Sequence, residues 1–277
     1  MIMPFTLLWW PNPAVEAAFA RRFAAKYFES ADLLFRTVRA SVIPVFLCVR
    51  LWQHGLGKHG LHALCCVALA AVVEWLGFGW QRDRLGRKRT TMAIVTRIVL
   101  LFSQVVDAAS LPIVVQTPLS MLRFLFMQTG LLPMLLSTIG VPLLVKHHLV
   151  VSFASVVAMR VFMVGNMCAV AVSAAESGPM VIISWRIVNA ILTGGAFEDK
   201  ALPAPYDACR SVVTMSHFVL GMLVPSYVMW TVEYENRMRF VEGRREALTD
   251  VTMGRQMLLF VPVMVIVWLL MNIRVWM

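Results

Sequence analysis

The chain has 277 residues, of which 60% are hydrophobic and 14% charged, against roughly 25% charged in soluble domains; mean hydropathy is +0.75. A soluble fold of this composition would expose large apolar patches, so secreted, disordered and soluble nucleic-acid-binding classes are excluded. The formal charge of +10 does not point to nucleic acid, because 15 of the 25 Lys and Arg fall within 1–39, 81–90 and 233–255, the clustering expected of cytoplasmic loops.

The expected fold is all-α, a polytopic transmembrane helix bundle of about seven spans plus one short half-helix. Residues 1–39 read as a cytoplasmic amphipathic N-terminal region. Asn12 and Pro13 offer a helix start. Val15, Phe19, Phe23 and Tyr27 recur every fourth residue, with Arg21, Arg22 and Lys26 off that stripe. The spacing predicts a helix over 13–37 that lies on the membrane surface or packs against other helix ends. Met1 to Trp10 lacks a basic n-region and a cleavage site, so it does not read as a signal peptide.

Residues 40–232 form the expected bundle with short loops. Spans are predicted at 40–56, 61–80, 91–111, 119–144, 149–174 and 211–232. The segment 180–195 is short, carries Arg186 and Asn189, and stops at Gly194-Gly195. It reads as a half-helix. Residues 233–255 read as a charged juxtamembrane helix, with Glu233 to Arg237 and Glu235 to Arg239 as i,i+4 pairs in the favourable order. Residues 256–277 are the last transmembrane helix. If 180–195 does not span, the basic clusters share one side, which puts the N-terminus in the cytoplasm and the C-terminus on the far side.

The sharpest local pattern runs from Gly79 to Arg89 and includes Asp83, Arg84, Gly86, Arg87 and Lys88. It resembles the loop signature of the major facilitator transporters, G-x-x-x-D-R-x-G-R-[KR], at the place between the second and third spans where that family carries it. The resemblance implies that Asp83 caps or pairs across a helix end in one transport state. It also implies that Arg84, Arg87 and Lys88 help lock the cytoplasmic face. It covers 11 of the 277 residues; that family normally has twelve spans, and Gly243-Arg244-Arg245 is only a fragment of a second copy. A positive-inside loop with a glycine turn accounts for the same residues.

Ionisable groups at membrane depth need partners or a role. Asp107 and Arg123 are expected level with each other and paired. Arg50 and Glu74 are within reach of a second pair. Arg160 and Arg186 have no adjacent acid, so they read either as cavity residues holding an anionic group or as snorkelling side chains. His54, His59 and His62 lack an acid or Cys to complete a metal site. The five cysteines read as small buried apolar residues rather than a disulfide framework.

No catalytic array, metal site or cofactor is expected. The leading expectation is a non-enzymatic signalling, anchoring or assembly module of a multi-pass membrane protein. Its expected partners are anionic headgroups at the basic loops and other membrane subunits, with no nucleic acid. The alternative is a small transporter using the 79–89 loop.

Overall fold

Asn12 accepts a hydrogen bond from Ala14 N at 2.9 Å and Pro13 opens the first helix, α1 (Pro13–Phe23), as the sequence predicts. The computed structural model describes residues 12–28, 88–108, 114–194, 202–242 and 250–273, with single positions between 31 and 72. The described elements are helical throughout. They gather into two units, one of residues 1–110, 133–155 and 225–246 and the other of 111–132, 156–224 and 247–277.

The first unit begins with α1, which continues as a π-helical turn at Ala24–Phe28. Phe19, Phe23 and Phe28 are buried with Leu144, and Tyr27, Met229 and Phe240 pack around them. The apolar stripe expected to face the bilayer is thus covered by protein, which is the second of the two readings the stripe allows. The helix α2 (Lys88–Ala108) buries Arg89, Ala93 and Arg97 at i,i+4,i+8 spacing, with Ala93 packed on Val141 and Leu143.

In the second unit, α3 (Pro118–Arg123) starts at a reciprocal capping box between Thr117 and Ser120. It runs into a π-helical turn at Phe124–Gln128. Gly130 then takes φ +77° ahead of α4 (Leu131–Gly140), which belongs to the first unit from residue 133 on. The expected 119–144 span is therefore broken at Gly130.

The helix α5 (Val145–Phe162) precedes a break at Met163 and α6 (Val164–Ser173). The expected half-helix is α7 (Ser177–Thr193), 17 residues long, stopped by Gly194 at φ +64°. Then α8 (Pro205–Ser216), a π-helical turn at His217–Leu223 and α9 (Val224–Glu242) form one continuous helical run. Pro225 accounts for the π turn. It has no N–H to offer Gly221, and its ring crowds that carbonyl, so the ladder widens just before it. The juxtamembrane helix expected from Glu233 is thus the end of this run up to Glu242. The last element is α10 (Asp250–Met271), which contains Pro262.

Among the described residues two helical stretches, Val145–Phe162 and Pro205–Phe240, are long and apolar enough to cross a membrane, or three if the pair broken at Gly130 counts as one span. The expected spans at 40–56 and 61–80 lie largely outside the described residues.

A disulfide corrects the cysteine reading: Cys168 on α6 is bonded to Cys209 on α8. Cys168 lies in an apolar run and Cys209 beside a loop, and no sequence motif pairs them. The bond staples two helices separated by 41 residues of sequence, a loop whose closure is worth about 4 kcal/mol in the chain-entropy view. Cys48 and Cys65 are free and exposed.

Candidate functional site: buried polar clusters

The first unit carries a group of buried charges centred on Arg237, whose side chain is 0% exposed. Its Nη1 and Nη2 donate to the two oxygens of Glu16 at 2.7 and 3.0 Å. Its Nε and Nη2 donate to Glu233 Oε1 at 2.8 and 2.6 Å. Lys146 Nζ donates to Glu16 Oε1 at 3.0 Å. Two carboxylates thus meet two cations, and the fork geometry suits a desolvated ion pair. The guanidinium also lies 4.3 Å from the Phe19 ring centroid.

Local sequence explains half of this arrangement. Glu233 and Arg237 are one turn apart on α9, as expected from their i,i+4 spacing. Glu16 arrives from 221 residues away, in the first turn of α1. Glu233 also serves the backbone. Its Oε2 accepts from Val145 N at 2.7 Å, which satisfies an orphan donor at the start of α5. That start carries Lys146, a charge opposed to the helix dipole. The carboxylates of Glu16 and Glu233 offset it.

Two arginines of α2 do the converse job at the end of α4. Arg97 donates from Nε to Val141 O at 2.9 Å and from Nη2 to Thr138 O at 3.2 Å. Arg89 donates from Nη1 to Pro142 O at 3.0 Å. Its Nε and Nη2 both donate to Asp32 at 2.8 Å. Arg97 Nη1 also lies 2.9 Å from His148 Nδ1. A guanidinium can only donate, so Nδ1 accepts and the imidazole proton sits on Nε2, which donates to Ser226 Oγ at 3.1 Å. Sequence reasoning left Arg89 in the basic loop and passed over Arg97. The available signal was the R-x3-A-x3-R stripe on an otherwise apolar helix.

The second unit holds a neutral counterpart. Trp185 Nε1 donates to Asn272 Oδ1 at 3.0 Å, and Trp268 Nε1 donates to Asn189 Oδ1 at 3.0 Å. Each helix contributes W-x3-N, and each Trp reaches the other's Asn, so α7 and α10 exchange hydrogen bonds as an antiparallel pair. Ser211 Oγ of α8 donates to the same Asn272 oxygen at 3.0 Å. The repeated W-x3-N spacing was the missed signal. His217 Nε2 donates to Thr129 O at 2.8 Å, and Ser177 Oγ accepts from Val115 N.

The remaining predicted residues fall as follows. Arg160 is half-buried near the end of α5, and its Nη1 has no partner. The charged and polar groups in electrostatic reach of it are Tyr206, Asp207 and Arg210 of α8. Arg186 is exposed on α7. Arg123 is exposed at the end of α3, while the side chain of Asp107 lies outside the described residues. So do Arg50, Glu74, Gly79, Asp83, Arg84, Gly86 and Arg87, the side chain of Lys88, and His54, His59 and His62.

Chemically, the described clusters are clasps. The charged one brings acids and bases together without a nucleophile, and its carboxylates are engaged by cations and a backbone N–H. Among the described residues no three His, Cys, Asp or Glu side chains are placed to hold a metal ion. No protein family, curated protein or solved structure matches this chain.

Proposed function

We propose that the chain is a multi-pass membrane module of about seven spans that anchors or assembles with other membrane subunits and catalyses no reaction. One observation carries this reading: three of the described helices turn apolar ridges outward and polar side chains inward. On α5, Val150, Phe153, Val157 and Val161 are exposed while His148 and Ser152 are buried. On α7, Ile183, Ile187 and Ile191 form an exposed stripe, with Ile191 76% exposed, while Trp185 and Asn189 point inward. On α10, Ile266, Leu270 and Ile273 are exposed, and Trp268 and Asn272 are buried.

In water each such stripe would cost about 25 cal/mol for every Å² exposed. Against lipid tails it costs nothing, and interior polar pairs become the glue between helices. Assembly with another membrane subunit would use the same outward ridges as packing surface.

The test is extraction. The full chain in native membranes should stay in the pellet through alkaline carbonate and leave only with detergent. Release by carbonate overturns the membrane reading. Cysteine-accessibility labelling at Asn236 and at Met277 should place the two on opposite faces; labelling of both from one face overturns the seven-span layout. Reconstituted protein should move no member of a panel of small solutes, and uptake of any would favour a transporter.

A further inference from the structure

Where α1 lies along the end of α9, the first unit has a groove of about 170 Å³. One wall is Arg22, Lys26 and Tyr27, the other Asn236, Arg239 and Phe240. Its lining contains three cations and no acid. Arg22 lies over the Phe240 ring at 5.8 Å and Lys26 over the Tyr27 ring at 5.1 Å. Neither has a carboxylate within ion-pair distance among the described residues. Among the described residues Arg239 has one acidic contact, an exposed one with Glu235 at 3.4 Å.

Beside the groove, between the same two helices, lies the opposite arrangement. Arg237 is fully paired with Glu16 and Glu233, so the protein's acids there are already engaged by other cations. The groove keeps a surplus of positive charge on an aromatic floor.

Its level in the chain matters. The apolar stretch Pro205–Phe240 turns charged from Glu233 onward, so Asn236 to Phe240 come at the end of a membrane-crossing helix. Aromatic rings beside Lys and Arg at such a level are the residues that meet headgroups.

We infer that this groove binds the phosphate of an anionic phospholipid headgroup, with Arg22, Lys26 and Arg239 as its cationic wall. The phosphate supplies the counter-charge that the lining lacks, and the acyl chains continue along the apolar part of the helix, which a free anion could not use. This inference rests on the membrane reading above and adds a specific site to it.

The full chain, purified in a neutral detergent and delipidated, is titrated with phosphatidylglycerol or phosphatidylcholine and read by native mass spectrometry. Phosphatidylglycerol should be retained in preference to phosphatidylcholine. Arg22→Gln with Lys26→Gln should weaken that retention about tenfold or more, at about 1 kcal/mol per surface cation. Arg21→Gln should leave it unchanged, because Arg21 donates to Ala17 O and stays outside the groove.

Equal retention of both lipids, no loss in the double variant, or an equal loss in Arg21→Gln overturns the site. Displacement of the lipid by millimolar inorganic phosphate overturns its assignment to a lipid. If the double variant does not fold, the charge-conserving Arg22→Lys with Lys26→Arg replaces it and must keep the preference; losing it overturns the site. Carbonate release of the chain defeats the membrane reading, whereas a membrane-bound chain without lipid preference defeats only the groove.

Discussion

The two units solve the same problem, buried polar groups between apolar helices, with different chemistry. In the first unit the buried groups include five ions, Glu16, Arg89, Arg97, Glu233 and Arg237, beside neutral His148 and Ser226. In the second, the buried hydrogen bonds run between Trp185, Asn272 and Ser211, between Trp268 and Asn189, and from His217 to Thr129. The difference tracks where on a helix the groups act. The ions of the first unit sit at helix ends, where Glu233 takes an orphan N–H of α5 and Arg89 and Arg97 take orphan carbonyls around the end of α4. A charge there is stabilised by the backbone as well as by its partner. The Trp–Asn pairs of the second unit link side chain to side chain between helices, where burying an ion would be far costlier than burying an amide.

The comparison breaks hardest at Arg237. Arg237→Met leaves Glu16 and Glu233 facing each other in a desolvated site with only Lys146 nearby, and should cost about 3–5 kcal/mol. Thermal unfolding in detergent would register it as a large drop in Tm. Replacing all three groups, with Glu16→Leu and Glu233→Gln added, should recover much of the loss, because the penalty belongs to the unpaired charges. No recovery would mean the cluster holds the helices by shape rather than by charge.

The second unit should respond most to its covalent staple. Cys168→Ser should destabilise it by about 2–4 kcal/mol, and a reducing agent should bring the parent chain to the same Tm while leaving the variant unmoved. A parent chain indifferent to reductant would exclude the Cys168–Cys209 bond.

Within the neutral clasp the two asparagines sharpen the contrast. Asn272 accepts from Trp185 and Ser211 and donates to Trp268 O. Asn189 accepts from Trp268, and its Nδ2 has no partner. Asn272→Ala therefore strands two buried donors and should cost about 1–3 kcal/mol. Asn189→Ala strands one and removes an unsatisfied amide, so it should cost about 1 kcal/mol or less. Equal losses would mean that the side-chain volumes, and not these hydrogen bonds, set the energy.

What the sequence made legible was local. Asn12-Pro13 as a helix start, the stop at Gly194 and the i,i+4 pairing of Glu233 with Arg237 all follow from residues within a turn of each other. Composition gave the helical, apolar character. The rest depended on contacts that no spacing rule reaches: Glu16 on Arg237 across 221 residues, Cys168 on Cys209 across 41, and Trp185 on Asn272 across 87. Breaks were hidden for a related reason. Gly130 and Met163 interrupt runs whose hydropathy alone reads as one span. Arg89 was misread because a cation beside a basic loop looks solvated until Asp32 and Pro142 O are found around it.

The smallest expected effect isolates the rule behind the comparison. Arg239 stands two residues after Arg237 and has the same local device, a glutamate one turn earlier. Two helical residues are about 200° apart around the axis, so one faces the interior and the other the groove and solvent. Arg239 is 45% exposed and its contact with Glu235 is 3.4 Å long. An exposed i,i+4 pair contributes a few tenths of a kcal/mol, and salt screens that. Arg239→Gln should therefore leave Tm within error of the parent, although it removes the same formal charge as Arg237→Met. The lipid titration is where Arg239 should register, as a partial loss of the phosphatidylglycerol preference. A large stability loss at Arg239 would place it with the clasp and out of the groove's wall, and it would erase the distinction between paired interior ions and surplus surface cations.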